Sequence, residues 1–214
     1  MYSERLAAAF EWASRLHAAQ TRKGVETPYL SHLLGVASLI LEYGGTEDEV
    51  IAGLLHDAVE DCGGLPMLAD IRAKFGSVVA DIVSACSDSV TSDPEAKSDW
   101  EVRKRAYVAA VAAKSNAACF VTACDKLHNA TAIFEDDLLG SAPDGTTVWH
   151  RFGGKSKEQT IAYYSAMAEA LRGRVPAALW QRFARTVAAL EALAKPAEHQ
   201  RWLGVLRTPP HLAA

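Results

Sequence analysis

The chain has 214 residues, half of them hydrophobic and 22% charged, which is enough for one helical domain with a sizeable core. No apolar run approaches the roughly 18 residues that cross a bilayer, so the composition argues for a soluble protein without a membrane partner. Lys and Arg total 22 against 26 Asp and Glu, a net charge of −4 that gives no global reason to bind a nucleic-acid polymer. Four cysteines, Cys62, Cys86, Cys119 and Cys124, form no C-x-x-C pair. With no leader-like N-terminus, they read as reduced thiols of a cytoplasmic protein.

In chain order, Ser3 caps a helix expected to reach about Gln20, with Leu6, Phe10, Ala13 and Leu16 or His17 along one face. A turn-like stretch, TRKGVETP, leads to a buried helix from Ser31 to about Tyr43, stopped by Gly44-Gly45. Thr46-x-x-Glu49 is a capping box for the next helix, which runs through IAGLLHDAVED to the Cys62-Gly63-Gly64 break. A short helix from Pro66 to Phe75 and another from Ser77 to about Ser87 follow, and residues 88–97 form a polar loop. Ser98-x-x-Glu101 opens a helix through about Lys114, and an apolar one spans about Ala117 to Phe134. After the loop GSAPDGTT, Ser156-x-x-Gln159 starts a helix through Leu171, and Pro176 begins a last long one. With no convincing period-two run, the expected fold class is all-α, a single-domain bundle of about eight or nine helices.

Ionisable residues interrupt the apolar helices at four places: His32, the doublet His56-Asp57, the pair Glu60-Asp61 one turn later, and Asp125. A lone buried histidine or aspartate is usually a hydrogen-bonded structural group. Several together are costly to bury unless paired or bound to a cation. Two imidazoles and two carboxylates, His32, His56, Asp57 and Asp125, make an N₂O₂ shell with positions left for water and substrate. Consecutive helix residues point about 100° apart, so His56 and Asp57 share one ion only if it lies between their faces. Glu60 and Asp61 repeat the doublet's two stripes four residues on, placed to orient and deprotonate a water. Asn129, four residues after Asp125, faces the same way and offers an amide to substrate, whereas His128 points elsewhere. Small basic clusters, Arg22-Lys23, Arg103-Lys104-Arg105 and Arg151 with Lys155 and Lys157, suit a few phosphates, or simply solvated faces.

R-K-G-x-x-x-P-Y-x-x-H at Arg22 to His32, L-L-H-D-x-V-E-D at Leu54 to Asp61 and D-K-L-H-N at Asp125 to Asn129 occur in this order. Together they resemble the hydrolase domain of Rel/SpoT proteins and the stand-alone small alarmone hydrolases, over about residues 5–170. The resemblance implies an HD-type helical fold, one Mn²⁺ on His32, His56, Asp57 and Asp125, and catalytic Glu60 and Asp61. It further implies Arg22 and Lys23 over the nucleotide base or phosphates, and Asn129 and Tyr163 at the ribose or phosphate end. The implied reaction is hydrolysis of the 3′-pyrophosphate of a (p)ppGpp- or (p)ppApp-type nucleotide.

Leu33 stands where the pattern has proline, and the stretch from Ser87 to Lys97 departs from the usual threonine-aspartate-aspartate-lysine loop, which bears on substrate identity. Another HD-type nucleotide phosphohydrolase or phosphodiesterase is the alternative, and a non-catalytic nucleotide-binding regulator a third. No histidine lies between His56 and Asp125, which favours a single ion over a two-metal site. Trp149 to Phe152 before Gly153-Gly154 reads either as a flap over phosphate or as a loop packed on its own helix. The oligomeric state, a homo-oligomer included, stays open.

Overall fold

The computed structural model describes residues 3–88, 99–140, 147–152 and 155–209. Every regular element among them is helical, apart from one isolated bridge between Thr21 and Pro28. The helices are α1 (Glu4–Leu16), α2 (Leu30–Glu42), α3 (Glu47–Leu55), α4 (Ala58–Cys62), α5 (Gly64–Phe75) and α6 (Ser77–Cys86). α7 (Trp100–Ala110), α8 (Asn116–Leu139), α9 (Lys157–Ala170), α10 (Ala177–Glu191) and α11 (Pro196–Arg207) follow.

The capping signals act as the sequence implies. Ser3 accepts from the Arg5 N–H at 3.2 Å. Thr46 with Glu49 and Ser156 with Gln159 each close both halves of a capping box. Ser98, residues 89–97 and most of the 140–147 loop lie outside the described residues, as do Gly153 and Gly154.

Eleven α-helices among the described residues, against an expected eight or nine, come from two breaks. The helix expected to run unbroken from Thr46 to Asp61 parts at His56-Asp57. The last helix parts before Pro196, which has no N–H to continue a ladder and takes the N1 position of α11. α1 also stops at Leu16 rather than near Gln20, whereas α8 runs five residues past the expected Phe134.

The described chain divides into two compact units. In the first, residues 1–99 and 114–125, α1, α2 and α6 pack on α3, and α4 and α6 pack on α5. Val50, Ile51, Ala52, Gly53, Leu54 and Leu55 of α3 are all buried, each large side chain contributing about 1.5 to 3 kcal/mol. Gly53 lets α2 approach: a Cβ there would lie 2.4 Å from Ile40 Cδ1.

In the second unit, residues 100–113 and 126–214, α9 packs against α7, α10 and α11 and is buried without interruption from Thr160 to Ala168. Trp180 Nε1 donates to the Ala168 carbonyl at 2.8 Å. A 3-10 turn, Val148–Phe152, docks on the end of α8: Trp149 Nε1 donates to Asp137 at 2.5 Å and Arg151 pairs with Asp136. That contact realises the reading in which these aromatics pack on their own helix.

Candidate active site

His32 enters the interior because α2 begins on the turn just before it. The Tyr29 N–H is held by the Gln20 carbonyl at 2.9 Å, and the His32 N–H by the Tyr29 carbonyl at 2.9 Å. The ring then sits fully buried, with the Tyr29 and His56 rings edge-on to it at 5.5 and 5.2 Å between centroids. His56 ends α3 with its Nδ1 2.8 Å from the Gly53 carbonyl. A carbonyl can only accept, so Nδ1 carries the hydrogen and Nε2 is turned toward the site.

Four donor atoms converge there, all within the first unit. His56 Nε2 lies 3.0 Å from Asp57 Oδ2 and 3.6 Å from Asp125 Oδ1. His32 Nε2 lies 3.3 Å from Asp125 Oδ1 and 3.7 Å from Asp57 Oδ2. The break at His56-Asp57 is what lets two consecutive residues share one point despite the angle between them. Donors held about 2.1 Å from one ion stand roughly 3 to 3.5 Å from each other, close to the observed spacing.

The buried His56 Nε2 makes no hydrogen bond of acceptable geometry among the described residues. In the neutral ring its lone pair and the carboxylate oxygens are acceptors facing one another, an arrangement that a cation resolves. Two neutral imidazoles and two carboxylates carry a charge of −2, which a divalent cation neutralises. The residues present therefore fit a divalent metal ion.

Burial holds the His32 pKa below its usual value, against the pull of Asp125. Burial opposes protonation of His56 as well, but the charges of Asp57 and Asp125 win and raise it well above the usual value. Desolvation opposes ionisation of the half-buried Asp57, yet the His56 charge holds it far below the usual carboxylate range.

Of three residues that the sequence reading left out of the site, Tyr29 contacts a proposed ligand, His17 contacts Tyr29 and Gln20 contacts Asp61. The Tyr29 hydroxyl donates to Asp57 Oδ2, and its own pKa is pushed far up by burial and the Asp57 charge. The Tyr29 ring stacks on His17, with centroids 5.3 Å apart and planes at 24°. Gln20 Nε2 donates to Asp61 Oδ2 at 2.8 Å. The signal for Tyr29 was in plain view, three residues before His32 on the opening turn of α2.

Glu60 Oε1 accepts the Asp88 N–H at 2.6 Å, at the edge of the described residues. Arg22 sits in a closed loop: its N–H bonds to Thr27 O at 2.8 Å, Gly24 turns at φ +74°, and its guanidinium lies 5.9 Å from the Tyr29 ring centre. Lys23 is exposed beside it.

Asn129 and Tyr163 belong to the second unit. Asn129 is half-buried on α8. Tyr163 is buried on α9, with Lys104 Nζ 5.0 Å and Lys126 Nζ 5.9 Å from its ring centre, and its hydroxyl makes no hydrogen bond among the described residues. The four cysteines are free, and burial together with the Asp61 charge pushes the Cys62 thiol up to about 11. No helix among the described residues is long and apolar enough to cross a membrane.

An HD domain model matches residues 9–156. The human guanosine-3′,5′-bis(diphosphate) 3′-pyrophosphohydrolase MESH1 is 32% identical over 172 residues, 79% of this chain and 84% of that protein. A probable guanosine-3′,5′-bis(diphosphate) 3′-pyrophosphohydrolase of Synechocystis is 33% identical over 121 residues, 56% of this chain but 16% of that longer protein. Among solved structures, a metazoan orthologue of SpoT that hydrolyses ppGpp and plays a role in starvation responses superposes with a TM-score of 0.69 at 27% identity. That match covers 95% of this chain and 98% of the other. With its convergent imidazoles and carboxylates and a match over well more than half its length, the chain belongs to the HD-domain family of metal-binding hydrolases.

Proposed function

We propose that the protein is a metal-dependent pyrophosphohydrolase that removes the 3′-pyrophosphate of an alarmone nucleotide, of (p)ppGpp or (p)ppApp type, to give pyrophosphate and the ordinary nucleotide. The observation that carries this reading is the four-donor cluster of His32, His56, Asp57 and Asp125, one helical turn from the acidic pair Glu60-Asp61. The likeness to full-length 3′-pyrophosphohydrolases supplies the substrate class.

The four donors would hold one Mn²⁺ per chain. Such an ion, when bound, polarises a phosphoryl oxygen and makes water more acidic. The remaining work falls to the chain's own side chains. Asp61 is exposed and accepts from Gln20 at Oδ2, and its carboxylate is the group that takes a proton from the attacking water. Glu60, anchored on the Asp88 N–H, orients that water. Arg22 stacks on the base, Lys23 meets phosphate, and Asn129 and Tyr163 take the ribose or phosphate end. Free cysteines with raised thiol pKa values suit a reducing cytoplasmic setting.

The purified chain, given manganese and a panel of guanosine and adenosine 3′-diphosphates, should release pyrophosphate, and a chelator should abolish the release. Turnover of a deoxynucleotide or cyclic nucleotide, with every 3′-diphosphate left intact, would move the protein to a different HD-type activity.

A further inference from the structure

Three helices of the second unit bring two cations to the same pair of tyrosine rings. Lys104 of α7 places its Nζ 5.0 Å from the centre of the Tyr163 ring and 6.0 Å from that of Tyr107. Lys126 of α8 places its Nζ 5.4 Å from the Tyr107 centre and 5.9 Å from the Tyr163 centre. Lys104 and Tyr107 stand one helical turn apart on α7 and so share a face, while Tyr163 comes from α9. All four residues belong to one compact unit, and both lysines are half-buried.

The rings attract the ammonium groups and pack against their aliphatic stems, so the two cations are positioned before any ligand arrives. Preorganised donors lower the ordering cost of binding, and two of them at one place suit a phosphate group, which offers several charged acceptor oxygens. An ammonium has three N–H donors, so a phosphate oxygen can join the contacts that each lysine already makes.

The Tyr163 hydroxyl points to a ligand independently. Tyr163 is 5% exposed, and its buried hydroxyl makes no hydrogen bond among the described residues, although such a group ordinarily has a partner. Trp100 and Tyr164 meet its ring in edge contacts at 6.3 and 5.6 Å between centroids, which hold the ring in place. Asn129, assigned above to the ribose or phosphate end of the nucleotide, follows Lys126 by three residues and lies on the same face of α8.

We propose that Lys104 and Lys126 are a further substrate-binding pair: their ammonium groups take one phosphate group of the nucleotide, with the Tyr163 hydroxyl as a third donor to it. The proposal rests on the protein acting on a nucleotide that bears a 3′-pyrophosphate. That group and a 5′-phosphate share the chemistry recognised here, and the choice of substrate separates them.

Steady-state kinetics of the manganese-loaded protein test the pair on two substrates. One is a purine nucleoside 3′,5′-bis(diphosphate), the other the same nucleoside 3′-diphosphate with a free 5′-hydroxyl, each offered as guanosine and as adenosine. Lys104→Met and Lys126→Met keep an apolar stem and remove the charge, and each should lower kcat/KM about tenfold, chiefly through KM. Loss on both substrates places the pair on the 3′-pyrophosphate, and loss confined to the first places it on the 5′-phosphates. Arginine at either position keeps the charge and should restore most of the loss, as it would not if the lysines merely packed on the rings. Tyr163→Phe should lower kcat/KM several-fold while the melting temperature holds or rises, because it deletes a buried hydroxyl that makes no hydrogen bond.

A value of kcat/KM within twofold of the wild type on both substrates, for either folded methionine variant, overturns the proposal. Should neither fold, an unchanged kcat/KM in Tyr163→Phe does the same. A wild-type protein that leaves every 3′-diphosphate intact removes the proposed function and this pair with it, whereas an active wild type beside unchanged variants overturns the pair alone.

Discussion

Replacing Tyr29 with Phe removes one hydroxyl and little else, which makes it a clean test of whether the metal site is supported from outside its ligands. The hydroxyl donates to Asp57 Oδ2, the same oxygen that lies 3.0 Å from His56 Nε2. A hydrogen bond to a charged acceptor contributes about 1.5 to 3 kcal/mol, and each 1.4 kcal/mol is about tenfold in an equilibrium constant. Part of that stabilisation is present with or without the ion, so the expected loss in manganese affinity is about 10- to 50-fold, within the range for outer ligand supports. The ring should keep its stack on His17 at 5.3 Å and its contact with Arg22 at 5.9 Å, so KM should change by less than about threefold. Competition against a fluorescent chelator at neutral pH measures the affinity directly. A manganese Kd within twofold of wild type would show that Asp57 is held without Tyr29 and refute the reasoning.

Further expectations follow from the same geometry. Adding manganese to chelated protein, at a free concentration about a hundredfold above its Kd, should stabilise the fold by about 2.7 kcal/mol and raise Tm by roughly 5 to 10 °C; an unchanged melting curve would mean that the four donors bind no ion. Glu60→Gln and Asp61→Asn should keep the metal while losing roughly 10²-fold in turnover, and parallel loss of metal and activity would show the ligand set to be misassigned. Arg22→Ala and Lys23→Ala should each raise KM several-fold or more with metal content unchanged, whereas constants within twofold of wild type would make both ordinary solvated loop charges. At pH 8 the native protein should show no fast-reacting thiol toward Ellman's reagent, since Cys62 is pushed up to about 11 and Cys86, Cys119 and Cys124 are buried; its reaction should accelerate as pH approaches 11, and one rapidly titrated thiol at pH 8 would contradict this.

The metal cluster was legible because its cost is visible in one dimension: His56-Asp57 and Asp125 interrupt runs such as IAGLL and ACFVTAC, where an ionisable side chain has no local way to be solvated. The contacts of the supports were not, because each joins residues far apart in sequence. Gln20 meets Asp61 41 positions away and Tyr29 meets Asp57 28 positions away, and the segment between Leu16 and Leu30 has no periodicity to say which way its side chains point. The break between α3 and α4 was also hidden. LLHDAVED contains neither Gly nor Pro, and His56 and Asp57 keep near-helical backbone angles, φ −60° and −96°. Tertiary convergence on one point, rather than local propensity, parts the helix there. Pro196, by contrast, was a written stop signal between α10 and α11 that the apolar spacing on either side concealed.

Residues 171–214 carry no chemical motif, yet within the second unit those the structure describes, 171–209, act as structural partners of the motif-bearing helices rather than as an appendage. Arg105 of α7, almost fully buried, donates from Nε to the Thr208 carbonyl at 2.9 Å and from Nη2 to the Pro209 carbonyl at 3.3 Å, satisfying backbone acceptors just past the end of α11. Arg207 forks onto the Glu169 carboxylate of α9. Deeper in, Ser165 of α9 donates to Glu191 at 2.6 Å and lies 3.0 Å from His199 Nε2, so one buried hydroxyl joins α9, α10 and α11. α9 carries Tyr163, and its buried run from Thr160 to Ala168 exceeds what one packed face of a helix supplies. A helix buried nearly all round needs partners on several sides, and α7, α10 and α11 are those partners. The C-terminal helices thus give α9 the surroundings that its own sequence demands.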